Sequence, residues 1–249
     1  MEEKVALVTG AGKRIGRAIA VRLARDGYAV ALHYRSSRRE AEELAGEIAA
    51  FGGRSILVEA DLADASSLDD LIASTLRSLG RLDLLVNNAA IFESDSIAAL
   101  DLALWRRQFA INLEAPVFLA AAFAKSLPAG AEGSVVNIID GRVLRLTPQN
   151  ISYTLAKSAL WTATQTMAQA MAPRIRVNAV GPGPTFPNAT QGEAGLAHEA
   201  AAVLLERAVS GEDVADAVAW LAGARSITGQ FIAVDSGQHL SWRTPDIIE

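Results

Sequence analysis

The sequence predicts an α/β fold: a doubly wound parallel sheet of about seven strands with helices on both faces. Three observations carry this expectation. Short apolar runs recur along the chain at 5–9, 29–34, 55–59, 82–86, 134–139, 176–180 and 231–234. They are rich in Val, Ile and Leu and do not alternate strictly, as expected of strands covered on both faces. Stretches with helical periodicity fall between or beside them, at 15–27, 38–51, 66–79, 101–127, 152–172, 195–208 and 213–222. Such alternation builds parallel sheets, because a helix must carry the chain back before the next strand can run the same way. Third, a Gly-rich turn joins the first strand to the first helix.

With 249 residues, 51% of them hydrophobic, the chain can bury one large core, and a single domain is expected over 1–249. No repeat and no Pro-, Gly- or Ser-rich linker divides it. The least regular stretch is the Pro- and Gly-rich 181–195, after the sixth strand. Ligands bind beyond the carboxyl ends of such strands, which makes this stretch the expected substrate loop. The formal charge of −5, without basic clusters, argues against a nucleic-acid partner. The chain has no cysteine, and His33, His198 and His239 are scattered, so no metal site is expected. Met1-Glu2-Glu3-Lys4 leads straight into an apolar run, unlike a signal peptide, so a cytoplasmic location is expected. No uninterrupted apolar run approaches the roughly 18 residues of a bilayer span, so no membrane association is expected.

Each element then contributes to a site. Thr9-Gly10-Ala11-Gly12-Lys13-Arg14-Ile15-Gly16 ends the first strand and opens the first helix. Gly10 suits a tight turn, and Gly16 allows close packing of helix on sheet. The helix N-terminus offers N–H groups and partial positive charge to a phosphate. A cation at Arg14 is mildly unfavourable there unless an anion lies nearby; otherwise Arg14 is a solvated first-turn side chain. The second strand ends in His33-Tyr34-Arg35-Ser36-Ser37-Arg38-Arg39, with no acid before Glu40. An acid here would bind a ribose 2′-hydroxyl, whereas Arg35, Ser36 and Ser37 suit a 2′-phosphate, pointing to NADP(H) over NAD(H). Arg38 and Arg39 read as the polar face of the second helix. In the fourth helix, Pro116 cannot bond the carbonyl of Asn112, which is left free. Tyr153 and Lys157 share one face of the helix over 152–172, thirteen and seventeen residues after Asp140. A nearby ammonium favours phenolate, so Lys157 is expected to lower the Tyr153 pKa and ease proton transfer.

Together these motifs resemble the short-chain dehydrogenase/reductase family, a Rossmann-type fold, over nearly the whole chain. Gly10 and Gly16 match two glycines of its T-G-x-x-x-G-x-G loop, and Asn87-Asn88-Ala89-Ala90 is similar to its N-N-A-G. Ile227-Thr228-Gly229 and Val234-Asp235-Ser236-Gly237 resemble its closing segment. The resemblance implies a tetramer built partly through the Ala-rich helix over 152–172, although ordinary internal packing also explains those alanines. It implies Tyr153 as general acid, Lys157 on the nicotinamide ribose, and Asn112 in a water relay unless its helix is merely kinked. It further implies Asp61 and Leu62 at the adenine, although Asp61 equally fits a loop-closing role. Asn87 is implied at the adenosine end, and Pro182, Gly183 and Thr185 by the diphosphate.

Asp140 stands where the family usually has Ser. An ionised carboxylate only accepts hydrogen bonds, so it cannot bind a substrate carbonyl oxygen, and it raises the Tyr153 pKa. Substrates with N–H groups, or a ring nitrogen that must gain a proton, fit better. Arg14 for the middle Gly, Asp140 for Ser, Phe92 after the fourth strand and Thr185 resemble the pteridine and dihydromonapterin reductases. That likeness implies Arg14 near diphosphate and pterin, Phe92 stacked on the pterin, and a dihydropterin as the small-molecule substrate. Alternatives are simple packing for Phe92 and a turn cap at Gly141 in a degenerate site for Asp140; His239 and Trp242 either edge the pocket or pack at a surface or interface. At the level of activity they are a ketone or 3-oxoacyl reductase, an alcohol dehydrogenase, and an NADPH-binding sensor without catalysis.

Overall fold

The computed structural model describes residues 3–187 and 192–242. Met1 and Glu2 of the N-terminal reading, and 188–191 of the expected substrate loop, lie outside the described residues. Among the described residues, seven strands form one parallel sheet: β1 Lys4–Val8, β2 Tyr28–Tyr34, β3 Ser55–Glu59, β4 Leu84–Asn87, β5 Gly133–Ile138, β6 Ile175–Pro182 and β7 Phe231–Val234. Their order is β3-β2-β1-β4-β5-β6-β7. Among the described residues, eight α-helices connect them: α1 Arg14–Arg25, α2 Arg38–Ala50, α3 Ser66–Leu79, α4 Leu102–Phe109, α5 Ala115–Ser126, α6 Ile151–Met171, α7 Gly192–Ala201 and α8 Gly211–Gly223.

Strand periodicity explains the two-sided core. In β1, Val5 and Leu7 join the cluster under α3, α5 and α6, whereas Ala6 and Val8 join the one under α1, α2 and α8. Successive side chains point to opposite faces, so a run buried on both sides has to be apolar throughout. The chain winds outward from β1 to β3, then returns to place β4 on the other side of β1. The reversal opens a crevice at the carboxyl ends of β1 and β4, where such sheets bind ligands.

Three local differences from expectation have physical causes. The helix expected over 195–208 ends at Ala201. Beyond it, the Leu205 N–H bonds the Ser236 carbonyl at 3.0 Å, a long-range bond a continuing helix would not make, and Glu206 adopts a φ of +50°. The stretch around Asn112 is not a simple kink. A π-helical turn, Ala110–Glu114, joins α4 to α5, and the extra residue in that turn shifts the register just before Pro116. The combined helix Leu102–Ser126 has a window of mean hydropathy 1.2 and is long and apolar enough to cross a membrane by length and composition. Counting uninterrupted apolar residues missed this. Its apolar character is used in packing: Ala115, Leu119, Ala120 and Phe123 lie in the core cluster beneath it.

His33 ties the second strand to the turn after the first. Its Nδ1 accepts the Gly10 N–H at 3.0 Å, its Nε2 lies 3.2 Å from the Ala60 carbonyl, and its own carbonyl accepts the Ala11 N–H at 2.9 Å. This network assigns a neutral ring protonated on Nε2. Burial pushes the His33 pKa down to about 4, against smaller opposing effects of the Ala60 carbonyl and Asp61. The unfolded chain, titrating near the ordinary 6.5, therefore binds more protons between those values. This stability is complete above the unfolded pKa and is lost as pH falls toward the folded one. The loss amounts to about 2 kcal/mol between pH 8 and pH 5 from this residue. Urea unfolding at both pH values should show a drop that His33→Gln reduces by about that amount. An unchanged drop in the variant would contradict this role for His33.

Candidate active site

At the cofactor end, the Gly10 turn is shaped by close approach. Gly10 has a φ of +63°, and a Cβ on Gly16 would lie 2.2 Å from the Gly10 carbonyl oxygen and 2.5 Å from Asn88 Nδ2. Only glycine fits at position 16. Asn88 stitches the turn to β4: its Nδ2 donates to the Thr9 carbonyl at 2.8 Å and to the Gly10 carbonyl at 3.2 Å. Thr9 Oγ1 in turn accepts the N–H groups of Asn88 and Ala89. The result is a rigid, backbone-lined cradle at the start of α1, the kind of surface that receives a diphosphate.

Other expected cofactor residues fall in different places. Arg35 and Ser36 are exposed at the end of β2. Ser37 lies beside the cradle, its Oγ 3.0 Å from where a Gly12 Cβ would sit. These positions fit a 2′-phosphate. Arg14 adopts a φ of +53°, donates to the Pro187 carbonyl at 2.7 Å, and places its guanidinium 5.3 Å from the Phe186 ring centre. Thr185 lines the same groove as Arg14, and its hydroxyl donates to the Gly183 carbonyl at 2.9 Å. The Gly183 N–H bonds Val234, which fixes the end of β6, where Pro182 pairs with β7.

Four side chains expected near the cofactor make other contacts in the fold. Asn87 is buried and donates to Asn137 Oδ1 at 2.9 Å and to the Pro116 carbonyl at 3.3 Å, so its amide braces the sheet interior. Strand alternation turns Asn87 inward and leaves Asn88 to face the cradle. Leu62 packs in the core, and Ile15 packs against the cluster under α1, α2 and α8. Asp61 is exposed and accepts the Ala63 N–H at 3.0 Å, the loop-closing alternative.

The catalytic side chains converge beyond β5. Asp140 caps the 3₁₀ turn Gly141–Leu144: its Oδ1 accepts the Arg142 N–H at 2.7 Å. Its Oδ2 accepts the Tyr153 hydroxyl at 3.0 Å. Tyr153 and Lys157 are buried, and the Lys157 Nζ donates to the Ile138 carbonyl at 2.8 Å. The Phe92 ring meets the Tyr153 ring edge to face at 4.7 Å while remaining 46% exposed, which leaves apolar surface uncovered beside the hydroxyl. Asn112 is fully buried. Its side chain bonds both backbone groups of Ile91 and the Gln108 side chain, anchoring the segment that carries Phe92.

The electrostatics differ from expectation at Tyr153. Burial, then the adjacent Asp140 carboxylate, holds its hydroxyl well above the usual phenol range. The Arg142 charge opposes this, while the Lys157 ammonium donates to the Ile138 carbonyl and sits 5.8 Å from the phenol ring centre. Burial brings Lys157 itself down to about 8, with Asp140 opposing. Removal from water pushes Asp140 up, against the Arg142 N–H, the Arg142 charge, Tyr153 and Lys157. Both members of the Asp140–Tyr153 pair thus hold their protons more tightly than in water.

Sequence reasoning missed four contributors: His33, Asn88, Arg142 and Asp95. The Asp95 carboxylate accepts the Ser152 N–H at 3.2 and 3.3 Å, and its carbonyl accepts the Asn150 N–H at 2.9 Å. It thereby caps the helix that carries Tyr153 from a loop distant in sequence. The one available signal was at Asn88, whose neighbour Asn87 had to point the opposite way.

Comparisons with known proteins find relatives over nearly the whole chain. A family model described as enoyl-(acyl carrier protein) reductase matches residues 10–239. FolM alternative dihydrofolate reductase 1 from Brucella canis, crystallised with NADP, superposes with a TM-score of 0.94. It is 47% identical, over 98% of this chain and 97% of its own. An uncharacterized oxidoreductase of Methylorubrum extorquens is 38% identical over 245 residues, 95% of this chain and 98% of its own. A 3-oxoacyl-(acyl-carrier-protein) reductase of Synechocystis sp. is 35% identical over 240 residues, 94% and 96% respectively. With similarity running from the Gly10 turn to the C-terminal 3₁₀ turn, this chain belongs to the short-chain dehydrogenase/reductase family.

Proposed function

We propose that this protein is an NADP(H)-dependent oxidoreductase that reduces a C=N bond of a dihydropterin. The observation that carries the reading is the 3.0 Å hydrogen bond from the Tyr153 hydroxyl to Asp140 Oδ2. A site built to reduce a ketone needs donors aimed at the carbonyl oxygen. Here the phenol proton is aimed at a carboxylate, which repels a developing alkoxide but welcomes N–H groups. Reduction of C=N adds a hydride to carbon and a proton to nitrogen. NADPH supplies the hydride when bound in the cradle. The proton comes from the Asp140–Tyr153 pair: an acid with a raised pKa is a better donor near neutral pH than an ordinary carboxyl group. Half-exposed Phe92 offers a stacking surface beside that pair, suited to a flat heterocycle. Arg14, Thr185 and the cradle would hold the diphosphate, Arg35, Ser36 and Ser37 the 2′-phosphate, and Lys157 the nicotinamide ribose.

The FolM relative crystallised with NADP supports both the cofactor and the pterin-like substrate. The Synechocystis relative favours a second reading, reduction of a ketone or 3-oxoacyl thioester. A non-catalytic NADPH sensor fits less well, since it would have no use for a Tyr–Asp–Lys cluster with a buried Tyr153 and Lys157. A homotetramer is supported by apolar side chains exposed on neighbouring helices, Leu102 on α4, Phe118 on α5 and Leu155 on α6.

NADPH oxidation with dihydropterins and with a ketone panel tests this reading. Asp140→Ser should lower kcat/KM for the dihydropterin at least about 100-fold while ketone turnover falls far less. A wild type that reduces ketones and no dihydropterin would overturn the substrate claim. In the same assay kcat/KM should decline as pH rises past about 8, where Lys157 of the free enzyme loses its charge; a flat profile to pH 9.5 or so would argue against a charged Lys157. Arg35→Ala should cost about tenfold or more in kcat/KM with NADPH and little with NADH. Equal losses with both cofactors would remove Arg35 from the 2′-phosphate site.

A further inference from the structure

The helix that carries Tyr153 begins without a cap of its own. Residues 145–149, which lead into α6, are exposed and lack regular structure. Asn150 enters the helix at φ +54°, and among the described residues its side chain makes no capping bond. The first N–H groups of a helix have no partner inside it, so an uncapped start frays, and Tyr153 lies in that first turn. Asp95 supplies the missing acceptor. Its carboxylate receives the N–H of Ser152, the second residue of α6, at 3.2 and 3.3 Å, where the oxygen of a local cap would bond. Its carbonyl receives the Asn150 N–H at 2.9 Å. A carboxylate is also favoured at a helix N-terminus by the helix dipole.

The segment that ends in Asp95 also carries Phe92, and its other end is held from the opposite side. Asn112 Oδ1 accepts the Ile91 N–H at 3.1 Å, and Asn112 Nδ2 donates to the Ile91 carbonyl at 3.0 Å. The fully buried Gln108 donates to the Glu93 carbonyl at 3.0 Å and accepts from Asn112 Nδ2 at 2.7 Å. Residues 91–95 thus form a short bridge. One end is anchored on α4 and the π-helical turn, the other on α6. Phe92 presents its exposed ring from a backbone fixed on both sides, and that ring meets the Tyr153 ring at 4.7 Å.

We propose that Asp95 is a positioning residue: it locks the first turn of α6 to the Phe92 segment, so that the Tyr153 hydroxyl and the stacking ring meet the substrate as one unit. This rests on the reading of Tyr153 as proton donor and Phe92 as stacking surface. A proton donor works only within hydrogen-bond reach, and a displacement of about 1 Å can cost on the order of 100-fold in rate. Asp95 acts through the backbone of α6. It differs in this from Asp140, which bonds the Tyr153 hydroxyl itself.

The test reads Tyr153 directly. With Tyr153 replaced by 3-fluorotyrosine, the ¹⁹F resonance of the NADP⁺-bound protein should shift and broaden in Asp95→Ala. It should return to its original position in Asp95→Asn, which keeps an acceptor oxygen for Ser152. In the unlabelled protein, kcat with dihydrobiopterin should fall about 30-fold in Asp95→Ala and no more than about threefold in Asp95→Asn, while the Kd for NADPH stays within about twofold in both. A resonance that does not move in folded Asp95→Ala, as judged by circular dichroism, overturns the proposal. So does a moved resonance with kcat unchanged. Should Asp95→Ala not fold, Asp95→Glu, which displaces the carboxylate, takes its place with the same expected shift. If ketones are turned over and dihydropterins are not, the substrate reading falls alone. The same comparison then runs on ketone turnover, where Tyr153 also delivers the proton.

Discussion

The hydrogen bond between the Tyr153 hydroxyl and Asp140 Oδ2 is the contact around which the active site is organised. It joins two groups that burial makes reluctant to ionise, and it exists only because three other elements hold its ends. The 3₁₀ turn after β5 pins Asp140 through the Arg142 N–H. The Asp95 loop caps α6 at Ser152, one residue before Tyr153. The Ile138 carbonyl takes the Lys157 ammonium, which sets that side chain beneath the phenol ring. A small shift in any of these would misalign the pair, since such bonds weaken steeply with angle.

The same logic of backbone restraint builds the cofactor end. No bulky side chain shapes the cradle; it is formed by the close approach of Gly16 to the Gly10 carbonyl and locked by Asn88 and His33. These tethers come from the ends of β4 and β2, the strands that flank β1. The parallel sheet therefore does more than bury apolar residues: its strand order brings the residues that stiffen the turn to either side of it. Arg14 fits this picture as a costly exception, a non-glycine residue at φ +53° whose side chain reaches across to Phe186 and Pro187.

Much of this was legible in the chain itself. Strands and helices follow from periodicity because apolar burial dictates both, and the Gly10 turn and the Tyr153–Lys157 spacing are local in sequence. What escaped was set by long-range contacts. Asp95 lies 57 residues from the amide it caps. The end of α7 at Ala201 depends on a hydrogen bond to Ser236, which no local propensity reports. Asn87 and Asn88 are adjacent and chemically identical, and only the facing of the strand separates the brace from the stitch. The sign of the Tyr153 shift was half legible: the opposition of Asp140 follows from its charge, but the burial that leads the shift is a property of the folded site.

What Asp140 does for a bound heterocycle is the decisive question, and a crystal structure of the ternary complex with NADP⁺ and a dihydropterin answers it. The predicted result places the Asp140 carboxyl and the Tyr153 hydroxyl on nitrogen-bearing edges of the pterin within about 2.6–3.2 Å, with Phe92 stacked on the ring. A pterin bound through a carbonyl oxygen at Tyr153, with Asp140 beyond hydrogen-bond reach, would contradict the role assigned to this carboxylate.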